Sequence, residues 1–540
     1  MSSQIVRNSR INKKLFLSIF FIVFTIFLFT SDGHRYSGDE DWQNLQAIRM
    51  VTLEPHPLYI DGESRIRFEY PVSYPPQWQG PTCYNYILCS PAKIGDSVTQ
   101  VPFLFINHTF NIITEDSVTW TTEDFSDLHY VFWRNSINPD FVFLELFYGP
   151  FFMALSVSVF FLICRTFNYQ IKTSLILSFV LALTTPFWAY SQTSLSTVPF
   201  VFVTLLGFYF FRRYQNNSTI NLIYCGFCLG FGFMVRAEMA LVIIALGIFF
   251  IYTLRRRTGK IKNIIFYFVP QIFLFLIYRM LQNLSNGPPN SEQAIPEVGG
   301  GIATSLLPFI HNGNFIPLER FVTGELGLLI SPGVGLLFFA PILFTIFFSF
   351  PDFFKNHKGE TIFVLGFITL FVIYLGSFQH WHGLVSWGTR YLIPCIPFLL
   401  LPLGASIESK NFKKIMIIIV VLGSFGFLAN LAHASIDVSW FVWAQPGYEK
   451  GLFSLGNVMT ELYIHPATIW TFEYSQLTNT IIMFLTGFQA DIFLLKLMGT
   501  GTFAGVIISL LSSQVYFIYR ILNNAKKTET ANKNTLEFSS

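Results

Sequence analysis

LSTVPFVFVTLLGFYFFRRYQNNSTINLIYCGFCLGFGFMVRAEMALVIIALGIFFIYTLRRR, residues 195–257, reads as three apolar runs separated by charged breaks. Each run approaches the roughly 20 residues that a helix needs to cross a hydrocarbon core. The breaks after the first and third runs, Arg212-Arg213 and Arg255-Arg256-Arg257, are purely basic, whereas the break between the second and third, Arg236-Ala-Glu238, is mixed. Lys and Arg resist translocation during insertion, so the basic breaks mark the inner side and the mixed break the outer one.

Extended outward, the same alternation covers the whole chain. Apolar runs near 15–31, 141–164, 173–190, 195–211, 219–235, 239–254, 263–280, 326–348, 361–379, 391–407, 415–432 and 499–519 give about twelve spans. The sequence therefore predicts an all-α integral membrane protein with both termini cytoplasmic. Composition agrees: 52% of the residues are hydrophobic, 12% are charged, and Phe alone numbers 64. On this topology 22 of 34 Lys and Arg lie inside against 5 of 31 acids, which leaves the other side strongly acidic. An acidic outer face excludes a nucleic-acid partner.

The chain divides accordingly. Residues 1–31 hold the basic N-terminus and the first helix, read as a retained signal anchor because no small-x-small cleavage site follows it. Residues 32–140 form a long extracytoplasmic loop with an acidic juxtamembrane helix, and 141–280 carry helices two to seven. A second outer loop spans 281–325, helices eight to eleven occupy 326–432, and a third outer loop covers 433–498. The last helix and a cytoplasmic tail fill 499–540. Within the third loop, Ile481 to Met498 is apolar but contains Asp491 and Lys496, which points to a surface-lying or re-entrant helix. Apolar, β-branched pieces such as 101–106 alternate with turns in the first loop.

Cys83 and Cys89 bracket a short outer segment and would bridge in an oxidising compartment, whereas Cys225 and Cys228 sit in an apolar run and read as packing. The sequons at Asn107 and Asn283 fall on the outer side.

Three clusters carry chemistry. Just past the first span, Asp39, Glu40 and Asp41 precede Trp42, Leu45 and Ile48, whose spacing predicts a short helix lying on the membrane. These acids serve either as an N-cap and dipole partners or as a carboxylate facing a cavity at the membrane surface. The second cluster is His380, Trp381, His382, Gly383, Trp387, Gly388, Arg390 and Tyr391, at the outer end of an apolar run. Its Trp and Tyr suit an interfacial belt, but a guanidinium at that depth suits bidentate capture of a phosphate. His380 and His382 would share a face in an extended loop, which makes them weak metal candidates. Arg236 is the third, and either pairs only with Glu238 or points into an outer cavity.

In this order the pieces resemble the GT-C superfamily of membrane glycosyltransferases, closest to the dolichyl-phosphate-mannose–protein mannosyltransferase and aminoarabinose-transferase branch. Gly38-Asp39-Glu40 with Ala47 resembles that family's acidic motif, and Trp381, Gly383, Gly388, Arg390, Tyr391, Pro394 and Pro397 resemble its arginine motif. Gly327 to Leu336 and Arg236 resemble two further positions, while Asp41-Trp42 and the long first loop depart from the pattern.

The resemblance implies transfer of a sugar from a polyprenyl-phosphate donor to a protein, glycan or lipid acceptor, with the active site extracytoplasmic. It implies Asp39 or Glu40 as catalytic base, Arg236 and Arg390 on the donor phosphate, and Asp41, Trp381, His382, Trp387 and Tyr391 around the substrate. The resemblance assigns no cofactor with certainty and leaves a divalent metal open. The rival readings are a transporter or flippase of lipid-linked sugars and an oligosaccharyltransferase-like enzyme.

Overall fold

The computed structural model describes residues 2–33, 38–53, 58–60, 66–68, 93–114, 141–215, 219–255, 261–286, 310–311, 314–315, 318–378, 381–383, 386–409, 412–436, 466–487 and 490–537. Helices α1 (Ser2–Phe29), α2 (Gly38–Thr52), α3 (Ile94–Thr114), α4 (Val142–Thr166) and α5 (Ile171–Leu183) come first. They are followed by α6 (Thr197–Tyr214), α7 (Ile220–Val235), α8 (Met239–Arg255), α9 (Ile261–Asn286) and α10 (Leu318–Ile330). The remainder are α11 (Leu336–Phe339), α12 (Ile346–Asn356), α13 (Lys358–Gly376), α14 (Ile396–Ile407), α15 (Phe412–Ser435), α16 (Pro466–Trp470), α17 (Gln476–Leu485), α18 (Phe493–Met498) and α19 (Thr500–Glu537). Two small antiparallel hairpins, 58–60 with 66–68 and 310–311 with 314–315, are the strands among the described residues.

All twelve predicted spans carry helix, but they are not twelve equivalent rods. Among the described residues, seven helical stretches are long and apolar enough to cross a bilayer: Arg10–Phe29, Val142–Thr166, Lys262–Leu284, Lys358–Gly376, Arg390–Ile407, Phe412–Ser435 and Thr500–Asn524. Helices α5, α7 and α8 are shorter, with 13, 16 and 17 residues. At 1.5 Å per residue they reach only about 20–26 Å, less than the hydrocarbon thickness. The predicted single span 326–348 is broken into α10, α11, a 3-10 turn at Pro341–Thr345 and α12. Pro332-Gly333 and Pro341 account for the breaks, because proline removes a helical donor and clashes with the preceding turn.

Two loop expectations change. Residues 101–106, read as an apolar piece of a turn-rich loop, lie inside α3, a 21-residue helix packed on α2, α4 and α7. Burial against these neighbours overrides the local β preference. Asn107 in the same helix is buried, and its side-chain oxygen accepts the Phe143 N–H at 2.9 Å, so that sequon is closed to a glycan. Ile481 to Met498 divides between α17 and α18, and its two charges pair, Lys496 Nζ donating to Asp491 at 2.5 Å. Cys83 and Cys89 lie outside the described residues, and Cys225 and Cys228 are free thiols.

Phenylalanine builds the core. Phe208 stacks on Phe363 at 5.3 Å and meets Phe398 edge-on at 5.1 Å, which locks α6, α13 and α14 together.

The feature that positions the site is a break in this apolar body. Helix α5 stops at Leu183, ahead of Pro186, and the chain then runs as irregular backbone with a 3-10 turn at Ala189–Gln192 before α6 begins. Non-helical backbone at this depth persists only when protein encloses it and supplies hydrogen bonds. Both conditions hold: residues 185–192 are buried, Tyr190 N–H donates to Pro186 O at 2.9 Å, Ser191 N–H donates to Trp188 O at 3.0 Å, and Gln100 Nε2 donates to Ser194 O at 3.2 Å. The Gln192 side chain ties the segment to its neighbours, Nε2 donating to Thr30 O at 2.5 Å and Ala434 O at 3.0 Å. Trp188 Nε1 donates to Thr30 Oγ1 at 2.9 Å. Helix α4 approaches through Gly149, where an added Cβ would lie 2.2 Å from the Ser191 carbonyl oxygen. Gly149→Ala is therefore expected to cost about 1–3 kcal/mol, because rigid backbone must give way. A thermal-unfolding midpoint in detergent equal to that of the wild type would contradict this packing.

Candidate active site

The acidic motif occupies the first turn of α2. Asp39, Glu40 and Asp41 lie on helical backbone, where acids favour the positive end of the dipole, and their side chains lie outside the described ones. The described face of α2 differs from that of a helix resting on lipid. Asn44, Gln46, Ala47 and Arg49 are buried, so a polar face points into protein. Asn44 Nδ2 donates to Glu145 Oε1 at 3.0 Å and lies 3.4 Å from Ser194 Oγ. Ser97 Oγ donates to Gln46 Oε1 at 2.6 Å, and Gln100 Nε2 donates to Ser194 O at 3.2 Å. Burial pushes the Arg49 guanidinium down to about 10, which leaves it charged at neutral pH. Below this layer, Tyr148 bonds both Thr99 and Asp96, at 2.6 and 3.3 Å.

Arg236 terminates α7 in an extended conformation, which turns its side chain back toward the start of α6. Its Nη1 donates to Ser196 Oγ and Thr197 Oγ1, each at 3.1 Å. Its Nη2 and Nε hold Glu238 in a fork, at 2.5 and 3.3 Å. Burial opposes both charges, yet the pairing outweighs it and holds the Glu238 carboxyl below the usual carboxylate range.

Arg390 opens a 3-10 turn at Arg390–Cys395 and is buried. Its Nη2 donates to Tyr391 Oη at 3.1 Å, and its guanidinium carbon lies 5.0 Å from that ring's centre. The guanidinium carbon of Arg236 lies 5.6 Å from the same ring. The structure thus brings together two arginines more than 150 residues apart in sequence around one tyrosine, which is partly exposed. Gly383 and Gly388 have φ of +76° and +59°, and the chain needs them to curl over Arg390 and Phe339.

The other predicted residues take different places. Trp387 is buried, stacked on His433 at 4.3 Å, and donates to Asn430 Oδ1 at 3.1 Å. Trp381 is buried against Gly327, where a Cβ would meet its ring at 2.1 Å. The glycine run at 327–336 and the tryptophan-arginine run are therefore packed as one unit. His382 is buried edge-on to Trp381, and His380 lies outside the described residues. Among the described residues no group of three His, Cys, Asp or Glu side chains is placed to hold a metal.

Sequence reading missed the segment that joins these parts. Tyr190 Oη donates to Trp387 O at 3.1 Å, Ser194 meets Asn44, and Ser196 and Thr197 hold Arg236. The run Ser191-Gln-Thr-Ser-Leu-Ser-Thr197 carries six small or amide polar residues between two apolar stretches, and that was the available signal.

Residues 149–281, about a quarter of the chain, match the family model for dolichyl-phosphate-mannose-protein mannosyltransferase. The resemblance read from the motifs is borne out. The matched stretch begins at Gly149 and contains the 188–197 segment, Arg236 and Glu238. Two solved structures are similar to the whole chain, ArnT from Cupriavidus metallidurans in the apo state and bound to undecaprenyl phosphate. Each is 12% identical over 94% of this chain and 76% of that one, with TM-scores of 0.44 and 0.45. No curated protein matches the sequence.

Asn44→Ala removes the donor that α2 gives to Glu145, a loss of about 1–3 kcal/mol of docking energy. Amide hydrogen exchange over 38–52 should accelerate accordingly, and unchanged exchange would show that α2 is held by other means.

Proposed function

We propose that the protein transfers a sugar from a polyprenyl-phosphate donor to an acceptor hydroxyl at the outer leaflet, inverting the anomeric centre. The observation that carries this reading is the convergence of Arg236 and Arg390 on Tyr391. Two guanidiniums beside one partly exposed ring suit a lipid-linked phosphate, with Arg390 as a ligand to its oxygens and Arg236, whose fork holds Glu238, as a nearby positive charge. The match over residues 149–281 supports the donor class, since that family is described by its dolichyl-phosphate sugar.

Helix α6 supports the assignment of the side. Its first residue, Thr197, touches Arg236, whereas Arg212 near its other end pairs with Glu360 and lies beside Arg213. Fifteen residues of helix separate the two ends by about 22 Å. Retention of basic loops on the inner side would keep the Arg212 end there, which supports an extracytoplasmic arginine pair.

Asp39, with Glu40 as second choice, removes the acceptor proton as the acceptor oxygen bonds the anomeric carbon. The bond from that carbon to the phosphate oxygen breaks, and its electron pair stays on the lipid phosphate. That group is a weak base and needs charge stabilisation rather than a proton, which Arg236 and Arg390 supply in a partly dehydrated setting. The buried layer Asn44–Glu145–Ser194 holds α2 against the segment that carries Arg236, so acid and cation are referred to one frame.

With purified protein and a polyprenyl-phosphate sugar, Asp39→Asn or Glu40→Gln should lower transfer by about 10²-fold or more while the donor still binds. Both variants turning over at the wild-type rate would remove the base assignment. Arg390→Ala should weaken donor binding by about tenfold or more, and unchanged affinity would remove the phosphate role.

A further inference from the structure

Glu238 has no part in the transfer just described, yet it is the one described acid bound to a phosphate-site arginine. It forks onto Arg236 within a three-residue connection between α7 and α8, and the two side chains are only 15% and 16% exposed. The other charged and titratable groups around the pair are Lys93 at the start of α3 and Tyr374 on α13, which act on Glu238, and Arg390 and Tyr391, which act on Arg236. Lys93 Nζ itself donates to Tyr278 Oη at 3.1 Å and lies over the Phe233 and Tyr278 rings. The described surroundings are therefore rich in cations, with Glu238 as their counter-charge.

Such a site meets a difficulty set by its own reaction. The donor is a phosphodiester with one negative charge. The product is a phosphomonoester, which carries about −1.5 to −2 at neutral pH because its second pKa is near 6. Coulomb attraction scales with the product of charges, so uncompensated guanidiniums hold the product more tightly than the donor. Resting on the donor-phosphate reading above, we propose that Glu238 is a discriminating counter-charge that offsets Arg236 and lets the product lipid phosphate leave. The geometry serves this end, since Nε and Nη2 hold the carboxylate while Nη1 holds Ser196 and Thr197, so Arg236 stays fixed and acts on the phosphate through its charge. Glu238 is then a positioning and specificity residue rather than a catalytic one.

The test compares two equilibrium affinities in nanodiscs: a polyprenyl phosphate, and a non-transferable polyprenyl-phosphosugar. Glu238→Gln keeps hydrogen-bonding capacity and removes the charge. It should tighten the polyprenyl phosphate by about tenfold and the phosphosugar by about threefold or less, since the added attraction grows with ligand charge. Glu238→Asp should restore the wild-type ratio, which a merely structural loss would not do. Equal changes in both affinities, or none, would overturn the inference while leaving the phosphate site standing. Wild-type protein that binds neither lipid would overturn the site and this inference together. If the Gln variant does not fold, wild type alone decides. Its product-to-donor affinity ratio should grow by no more than about threefold from pH 5 to pH 8 as the product gains its second charge. Growth of about tenfold or more would show that nothing offsets the arginines.

Discussion

The architecture depends on one interrupted helix. Between α5 and α6 the backbone gives up helical hydrogen bonding at a depth where water cannot replace it, and each orphaned polar group there costs free energy. Short-range backbone bonds satisfy part of the break, and side-chain bonds tie it to the surrounding helices. Thr30 at the end of α1 and Ala434 on α15 accept from Gln192, Gln100 on α3 donates to Ser194, and Tyr190 donates to the Trp387 carbonyl. These bonds fix the elements that make them relative to one another. Asn44 on α2 and Arg236 in the α7–α8 connection also bond this segment, through Ser194, Ser196 and Thr197, so the helix with the candidate acids and Arg236 share its frame. The stability requirement of the break and the placement of the site are thus the same constraint.

Charge completes the picture. An arginine in this setting persists only when paired, and the two candidate phosphate ligands solve that problem differently. Arg236 takes a carboxylate and two hydroxyls, while Arg390 has Tyr391 as a described partner. Their shared contact with one aromatic ring keeps two like charges close while the ring face and Glu238 moderate the repulsion.

Much of this was legible in sequence, for identifiable reasons. Apolar run length and the asymmetry of Lys and Arg revealed the helical segments, because both are imposed by the bilayer on each segment separately. Arg236 and Arg390 were legible as cations on the wrong side of that asymmetry. The 185–197 segment was not, because Ser, Thr and Gln are inconspicuous singly and their meaning arises only from partners far away in the chain. The polar face of α2 was missed for a related reason: Trp42, Leu45 and Ile48 gave only an apolar stripe, whereas Asn44, Gln46 and Arg49 are buried in polar contacts that no local pattern announces. Trp387 looked available to a substrate, yet its ring is enclosed by His433 and Phe339.

The account stands on a single pocket in which a lipid phosphate is gripped from two distant parts of the chain while an α2 carboxylate faces the sugar. An electron cryo-microscopy structure with a non-transferable polyprenyl-phosphosugar tests that most directly. The phosphate should lie against both Arg236 and Arg390, with Asp39 or Glu40 reaching the side of the anomeric carbon opposite the phosphate. A lipid phosphate seated away from either arginine, or an anomeric carbon that neither acid faces, would contradict it.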